Sequence, residues 1–267
     1  MTIMTDQPGW LTSVTGEPYR AVAHRDTAVL VTATRADSGD PLVDLGGGSA
    51  HIDRVDPSAL SGPDDLIAPL KAAGVVARVA NPSLWDALSA AIMRQVIRAD
   101  HARTRYVRFC TCYGQAVTRD ELTAWLFPTP ERILTLTDDE FQTVGAKFPM
   151  PALRAAAGAY LERGDQWATL PAVDLVTALQ SIPRIGAWTA RTTVADYTND
   201  FSHYDYSDIA VQPAARQLNP DREWPQGAPA FKAAWEEVAG NQLSAWTLLT
   251  LAWGIRHGKP ADRSRTS

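Results

Sequence analysis

From Ser83 to about Arg256 the chain keeps helical spacing almost without a break, and this limits its possible folds more than anything else in it. Ser83, with Asp86 three residues later, resembles a capping box, and Leu84, Leu88, Ala91 and Ile92 repeat on one helix face. Gln95 continues that face, where a polar side chain either finds a partner or looks into a cavity. The spacing predicts further helices near 99–114, 119–126, 130–136, 138–145, 151–163, 172–181, 187–198, 208–218, 228–239 and 242–256. Short connections between them predict a compact all-helical domain.

The residues before Ser83 read differently. Tyr19–His24, Ala28–Thr34 and Leu42–Leu45 carry β-branched residues between turn signals at Arg25-Asp26 and Ser38-Gly39-Asp40, and are predicted strands. Gly46, Gly47 and Gly48 lack a following Gly-Lys-Ser/Thr, so they read as a flexible turn and not as a phosphate loop. Asp56–Ala73 is predicted helical, and Asn81-Pro82 marks a boundary. The expected architecture is mainly α: a small α+β domain over 1–82, a helical domain over 83–259, and a frayed tail over 260–267.

Composition narrows the setting. At 267 residues, 45% apolar and 21% charged, the chain is ordinary globular material, but nine Trp is a high count and supplies both core bulk and flat stacking surfaces. The two cysteines, Cys110 and Cys112, stand one residue apart, a spacing that suits neither a disulfide framework nor a four-thiolate cluster, so a reducing cytoplasm is expected. Met1–Val14 has no leader pattern, and no apolar run approaches a membrane span. The net charge of -5 belongs mostly to residues 1–82, where six Lys or Arg face ten carboxylates. Further on, Arg94, Arg98, Arg103, Arg105 and Arg108 are opposed locally only by Asp100, and are expected to form a basic patch.

Two short stretches carry chemistry. A tight turn at Ile182-Pro183-Arg184-Ile185-Gly186 separates two helical runs, and N–H groups of Ile185, Gly186 and Ala187 fall where a starting helix leaves donors unpaired. Such a site holds phosphate without reading a base, although the same residues would also make an ordinary helix–helix turn. Gly186 is expected to supply conformational freedom and close approach. Asp208 follows Ser207 and precedes Ile209-Ala210-Val211, as a helix N-cap does. A carboxylate fixed there keeps a low pKa and a set direction, suited to positive charge developing on a sugar; Asp205 is the competing candidate.

Ile-Pro-Arg-Ile-Gly-Ala-Trp-Thr-Ala over 182–190 resembles the hairpin of the helix-hairpin-helix DNA glycosylase superfamily, in particular its 3-methyladenine DNA glycosylase II branch. Leu84–Leu88 with Ile92 and Gln95, Phe127–Leu134, Asp138–Phe141 and Val144-Gly145 are similar to other segments of that branch, in the same order, so the resemblance spans nearly the whole chain. It implies an enzyme that turns a damaged base out of a duplex and hydrolyses its glycosidic bond in base excision repair, with Asp208 stabilising the oxocarbenium-like state and directing water. Trp188 occupies the place of the Schiff-base Lys of lyase-competent relatives, which implies hydrolysis without lyase action.

Cationic, N-alkylated purines suit such a site, with bulky N3 or N7 adducts as a further class. Trp188 is the leading candidate to stack on the base, with Gln95, Trp246, Trp125 and Tyr113 as further pocket candidates. The expected DNA contacts are Arg184, Ile185, Gly186, Ala187, Thr189, Arg94 and Arg98. No redox cofactor and no side-chain metal ligand are expected, and the family implies a monovalent cation held by hairpin carbonyls. The expected partner is duplex DNA with damaged bases, bound by a monomer in the cytoplasm near the nucleoid, with no membrane involved.

Several positions depart from the pattern. Arg184 stands where the first hairpin Gly is usual, and Arg94, Val96 and Arg98 replace much of a Gly-Gln-Gln-x-Ser run, which leaves the wedge for the vacated base space unassigned. Neither Gly nor Pro lies between Tyr197 and Asp208, and Gln212-Pro213 falls where Arg is common. Two other functions stay open on sequence: a relative that binds damaged DNA without cleaving it, and a hydrolase of nucleosides or other glycosides.

Overall fold

The computed structural model of the chain describes residues 1–24, 27–35, 41–44, 52–205 and 210–257. The turns at Arg25-Asp26 and Ser38-Gly39-Asp40, Leu45, the triple glycine, Asp208 and the tail from 260 lie outside those residues. In chain order the elements are β1 (Thr2–Met4), β2 (Leu11–Thr12), β3 (Pro18–His24), β4 (Thr27–Arg35), β5 (Pro41–Asp44), β6 (Ile52–Val55), α1 (Asp64–Ala73), β7 (Val76–Val79), α2 (Leu84–Met93) and α3 (Ala99–Tyr113). There follow β8 (Ala116–Arg119), β9 (Leu122–Trp125), α4 (Pro130–Thr135), α5 (Asp138–Thr143), α6 (Met150–Trp167), α7 (Ala172–Gln180), α8 (Ala187–Thr198), α9 (Val211–Leu218), α10 (Ala228–Ala239) and α11 (Leu243–His257). The architecture is mainly α with a strand-containing N-terminal region, as the spacing predicts.

The chain forms two compact units, each assembled from separate stretches: Thr5–Asp53 with Arg78–Asn199, and Met1–Met4 with Arg54–Ala77 and Asp200–Ser267. This differs from a linear division at Asn81-Pro82. The reason lies in α1, whose Leu66, Ile67 and Leu70 are buried and which packs with α9 and α11 near the far end of the sequence.

In the larger unit β2, β3, β4 and β5 form an antiparallel sheet in that order, with Tyr19 opposite Thr32 and Val22 opposite Val29. Ala21 and Leu30 of this sheet meet Ala124, with Leu122 and Val117 packed alongside, so a β8–β9 hairpin covers the sheet. A helix was expected near 119–126. Leu122, Trp125 and Leu126 fit a helical face, but Val117, Thr118 and Thr123 favour a strand, and Asp120 takes the left-handed turn conformation at φ 53°.

Every residue of α2 is buried, and the helix packs against α3, α6 and α8. Its Ser83 hydroxyl accepts from Asp86 N, yet the Asp86 carboxylate does not return the bond as a capping box would. It accepts instead from Arg20, Tyr106 and Asn81 Nδ2, the last at 2.7 Å. Trp85 donates to the Pro128 carbonyl at 2.8 Å, and Phe109 stacks on Phe127 at 5.3 Å.

In the smaller unit, Trp235 stacks on Phe231 at 6.0 Å and meets Trp246 edge-on at 5.9 Å. Helices α9 and α11 approach closely at Gly254, where a Cβ would come within 2.7 Å of the Ala214 Cβ. No described helix is long and apolar enough to cross a membrane.

Candidate functional site

The hairpin between α7 and α8 is pinned from below by apolar side chains. Leu179, Ile182, Ile185 and Ala190 all belong to the core of the larger unit, so the turn has little room to shift. Ile185 N–H donates to the Ile182 carbonyl at 3.1 Å, which removes it from the expected set of phosphate donors. The groups left are those of the first turn of α8. Gly186 is its N-cap and offers no side-chain acceptor, so the N–H groups of Ala187 and Trp188 have neither an intrahelical nor a capping partner.

The left-handed residue of this turn is Arg184, at φ 69°, and not Gly186, which is extended at φ -83°. Gly186 therefore contributes no conformational freedom. What it contributes is space: a Cβ added there meets nothing within 4 Å. Arg184 itself is exposed, and holding an Arg in this conformation costs about 1–2 kcal/mol.

Gln95 fixes the hairpin to the end of α2. Its Nε2 donates to Thr189 Oγ1 at 2.9 Å and to the Arg184 carbonyl at 3.3 Å, the second bond holding the left-handed residue. Thr189 is buried, so it supports the turn from behind and does not present its side chain to a ligand. Next to Gln95, Val96 is 89% exposed and left-handed at φ 57°. A β-branched residue in that conformation is a genuine outlier.

Four of the five arginines of the expected basic patch are engaged by partners within the chain, Arg98 at the surface. Arg98 makes a two-pronged pair with Asp100, Arg103 donates to the Thr5 and Trp10 carbonyls at 2.9 Å, and Arg108 donates to the Thr143 carbonyl at 2.6 Å. Arg94 donates to Asp196 Oδ2 at 3.0 Å, and its guanidinium stands 6.0 Å from the centre of the Trp188 ring. For Arg94, Arg103 and Arg108 a local count of charges cannot foresee this, because their acceptors lie far away in sequence.

Asp196 on α8 was not singled out by sequence, and it anchors a buried quartet. Arg78, from a strand of otherwise apolar residues, donates to Asp196, to Asn199 and in two prongs to Asp6 at 2.9 Å. Burial pushes the Asp196 carboxyl above its ordinary range, partly offset by Arg94 and Arg78. At Asp6 burial acts the same way but is outweighed by Arg78, and the carboxyl is held below that range. Two cations and two carboxylates balance, which is what makes a buried charge cluster tolerable. The sequence signal for it was one basic residue, Arg78, inside Val75-Val76-Ala77-Arg78-Val79.

The aromatic candidates separate clearly. Trp246 is fully buried in the smaller unit, with Nε1 donating to the Ser61 carbonyl at 3.3 Å, so it is core and not a stacking surface. Tyr113 donates to the Glu140 carbonyl at 2.9 Å and lies 5.7 Å from the Arg132 guanidinium, and Trp125 packs against the core from β9. Trp188 is half-buried beside the uncapped turn. Among the described residues no cluster of His, Cys, Asp or Glu could hold a metal ion. The hairpin turn offers backbone oxygens only; those of Ile182 and Arg184 each accept one hydrogen bond and keep a lone pair, an all-oxygen set that fits a hard monovalent cation.

No family model matches the chain, and no curated protein matches it. Solved structures do. A 3-methyladenine DNA glycosylase from Archaeoglobus fulgidus superposes with a TM-score of 0.74 at 18% identity, over 93% of this chain and 90% of its own. An 8-oxoguanine glycosylase/lyase from Clostridium acetobutylicum, bound to double-stranded DNA with cytosine opposite the lesion, gives 0.73 at 13% identity, over 94% and 88%. The Schizosaccharomyces pombe 3-methyladenine DNA glycosylase in complex with abasic DNA gives 0.52 at 17% identity, over 66% and 83%. With an uncapped helix N-terminus behind a core-pinned turn and two of these neighbours matching along nearly its whole length, the chain has the fold of the helix-hairpin-helix DNA glycosylases.

Proposed function

We propose that the chain is a monofunctional DNA glycosylase that binds duplex DNA, turns out an alkylated purine and hydrolyses its N-glycosidic bond, bulky N3 and N7 adducts included. The observation that carries this is the N-terminus of α8: unpaired N–H groups, open space above Gly186, and a half-buried indole one residue into the next turn. Backbone donors of this kind suit a phosphate oxygen and bind it without reading sequence. A monovalent cation on the turn's carbonyls would add attraction for that phosphate.

The chemistry is one displacement at C1'. As the C1'–N bond breaks, the base leaves with the electron pair, and water supplies the oxygen that closes the sugar as an abasic site. Asp208 is assigned to stabilise the positive sugar and to take the proton of the attacking water; it lies outside the described residues, and its role rests on the resemblance. Trp188 has no amine, so no Schiff base forms with the sugar at this position. Val96 is assigned as the wedge that fills the space left by the base, because it is apolar, exposed and tied through Gln95 to the hairpin.

Single-turnover release of an alkylated purine from a duplex tests the proposal. Wild type is expected to release base and leave an intact abasic strand that breaks only on later alkaline treatment, while Asp208→Asn falls by at least about a hundredfold. Equal product from both removes Asp208 as the catalyst. Strand scission without alkali removes the monofunctional assignment. Tight binding of damaged duplex without any release would instead mark a damage-binding protein, and cleavage of free nucleosides without salt-dependent DNA affinity would mark a nucleoside hydrolase.

A further inference from the structure

Arg94 and Trp188 form a pair that nothing in a general base site requires. The guanidinium is not a loose surface charge: its side chain is 19% exposed and its Nη1 is tied to Asp196 at 3.0 Å, and Asp196 is held in turn by Arg78. One face of the Trp188 indole is therefore kept against a fixed cation at 6.0 Å. We propose that Arg94 tempers the preference of this site for cationic N-alkylpurinium rings, the N3 and N7 adducts among them, and so admits uncharged purine adducts alongside them. This rests on Trp188 being the surface on which the base stacks.

The sign is the same whichever face the base uses. On the Arg94 side, a positive ring would meet the guanidinium directly, and like charges repel across a short gap with little intervening water. On the far side, the indole carries electron density already drawn toward Arg94, so its attraction for a second cation is weakened, while dispersion with a neutral purine is hardly changed. Asp196 moderates the effect without cancelling it, because its carboxylate is shared with Arg78.

Two opposite substitutions make the idea testable. Arg94→Met removes the cation and leaves Asp196 still paired with Arg78; Asp196→Asn keeps the cation and removes its counter-charge; Arg94→Lys keeps the charge in another shape. Single-turnover release is measured for ethenoadenine, uncharged, and 7-methylguanine, cationic, in duplexes of one sequence. The ratio between the two is read, so a loss of folded enzyme does not enter, and variants are compared with wild type because the cationic ring leaves more readily in water. Arg94→Met is expected to shift the ratio toward 7-methylguanine by about threefold or more, Asp196→Asn to shift it the other way, and Arg94→Lys to leave it near wild type. An unchanged ratio in Arg94→Met, or shifts of the same sign in Arg94→Met and Asp196→Asn, overturns the proposal.

If wild type releases neither base, the glycosylase reading is what fails, and the charge selection is then read from binding alone. Quenching of Trp188 fluorescence, taken as the difference from Trp188→Phe, is compared for inosine and 7-methylguanosine. A ratio of quenching by inosine to quenching by 7-methylguanosine that is higher in wild type than in Arg94→Met supports the proposal. Equal response in both proteins overturns it.

Discussion

Val96 and Arg184 hold a backbone conformation that their side chains resist, at φ 57° and 69°. Each would relax as glycine, by about 1 kcal/mol after allowing for the greater freedom of glycine in the unfolded chain. Val96→Gly is therefore expected to raise the denaturation midpoint while lowering base release severalfold, since the exposed wedge is lost. Arg184→Gly should stabilise similarly and weaken DNA affinity at low salt, with little change in single-turnover release once DNA is saturating. Denaturant melts and release assays on the same preparations check both; a drop in stability for either variant would mean that the side chain makes a compensating contact. The position of Arg184 was legible as unusual in the sequence, but not its conformation, because φ is set by the carbonyl bond from Gln95 and by the buried Ile182 and Ile185 around it. Gln95 was legible as a polar residue in search of a partner, and it has two. Arg94, Arg103 and Arg108 do not form the patch that their spacing suggests, because nothing within a few residues of each says where its guanidinium will go.

Helix starts show the same contrast between local and distant causes. At α5, Thr137 and Glu140 form a complete capping box, the Thr137 hydroxyl accepting from Glu140 N at 3.3 Å and Glu140 Oε2 accepting from Thr137 N at 2.7 Å. This signal is entirely local, and the helix was found from sequence within two residues. At α2 the outwardly similar Ser83–Asp86 pair is half a box, since Asp86 is claimed by Arg20 and Tyr106 from elsewhere in the fold. Thr137→Ala is expected to cost about 1 kcal/mol, seen as faster amide exchange in α5. The Glu140 carboxyl is held below its ordinary value by the Thr137 backbone N–H first and the Thr137 hydroxyl next. Its contribution is thus fully present above the unfolded value of about 4.3 and fades as pH falls through the lower folded value. Carboxyl NMR titration of Glu140, in step with exchange of the α5 amides, checks this; loosening of α5 already above pH 5 would contradict it. The missed β8–β9 hairpin is the counterpart: its apolar residues fit either period, and only the sheet it covers decides between them.

At the scale of the whole molecule, a chain of net charge -5 spends Arg94, Arg103 and Arg108 on internal partners and Arg98 on a surface pair with Asp100, so these four described arginines neutralise phosphates poorly. Backbone donors at α8 bind an anion without adding a full positive charge, so they release few counterions. The slope of log affinity against log salt for duplex DNA is accordingly expected to be shallow, on the order of -2 to -4, and titrations between low and physiological salt measure it. A slope near -8 would contradict this expectation. The discontinuity of the two units has a consequence of another kind, for the order in which the chain becomes structured as it is made. Residues 5–53 and 78–199, which make up the larger unit, are synthesised before α9, α10 and α11 exist, whereas α1, which packs with α9 and α11, has to wait for them. Thr2 accepts from Arg256, 254 residues away. At ribosomal speeds of about 5–20 residues per second, that leaves Thr2 without this bond for roughly ten to fifty seconds while the larger unit can already be closed.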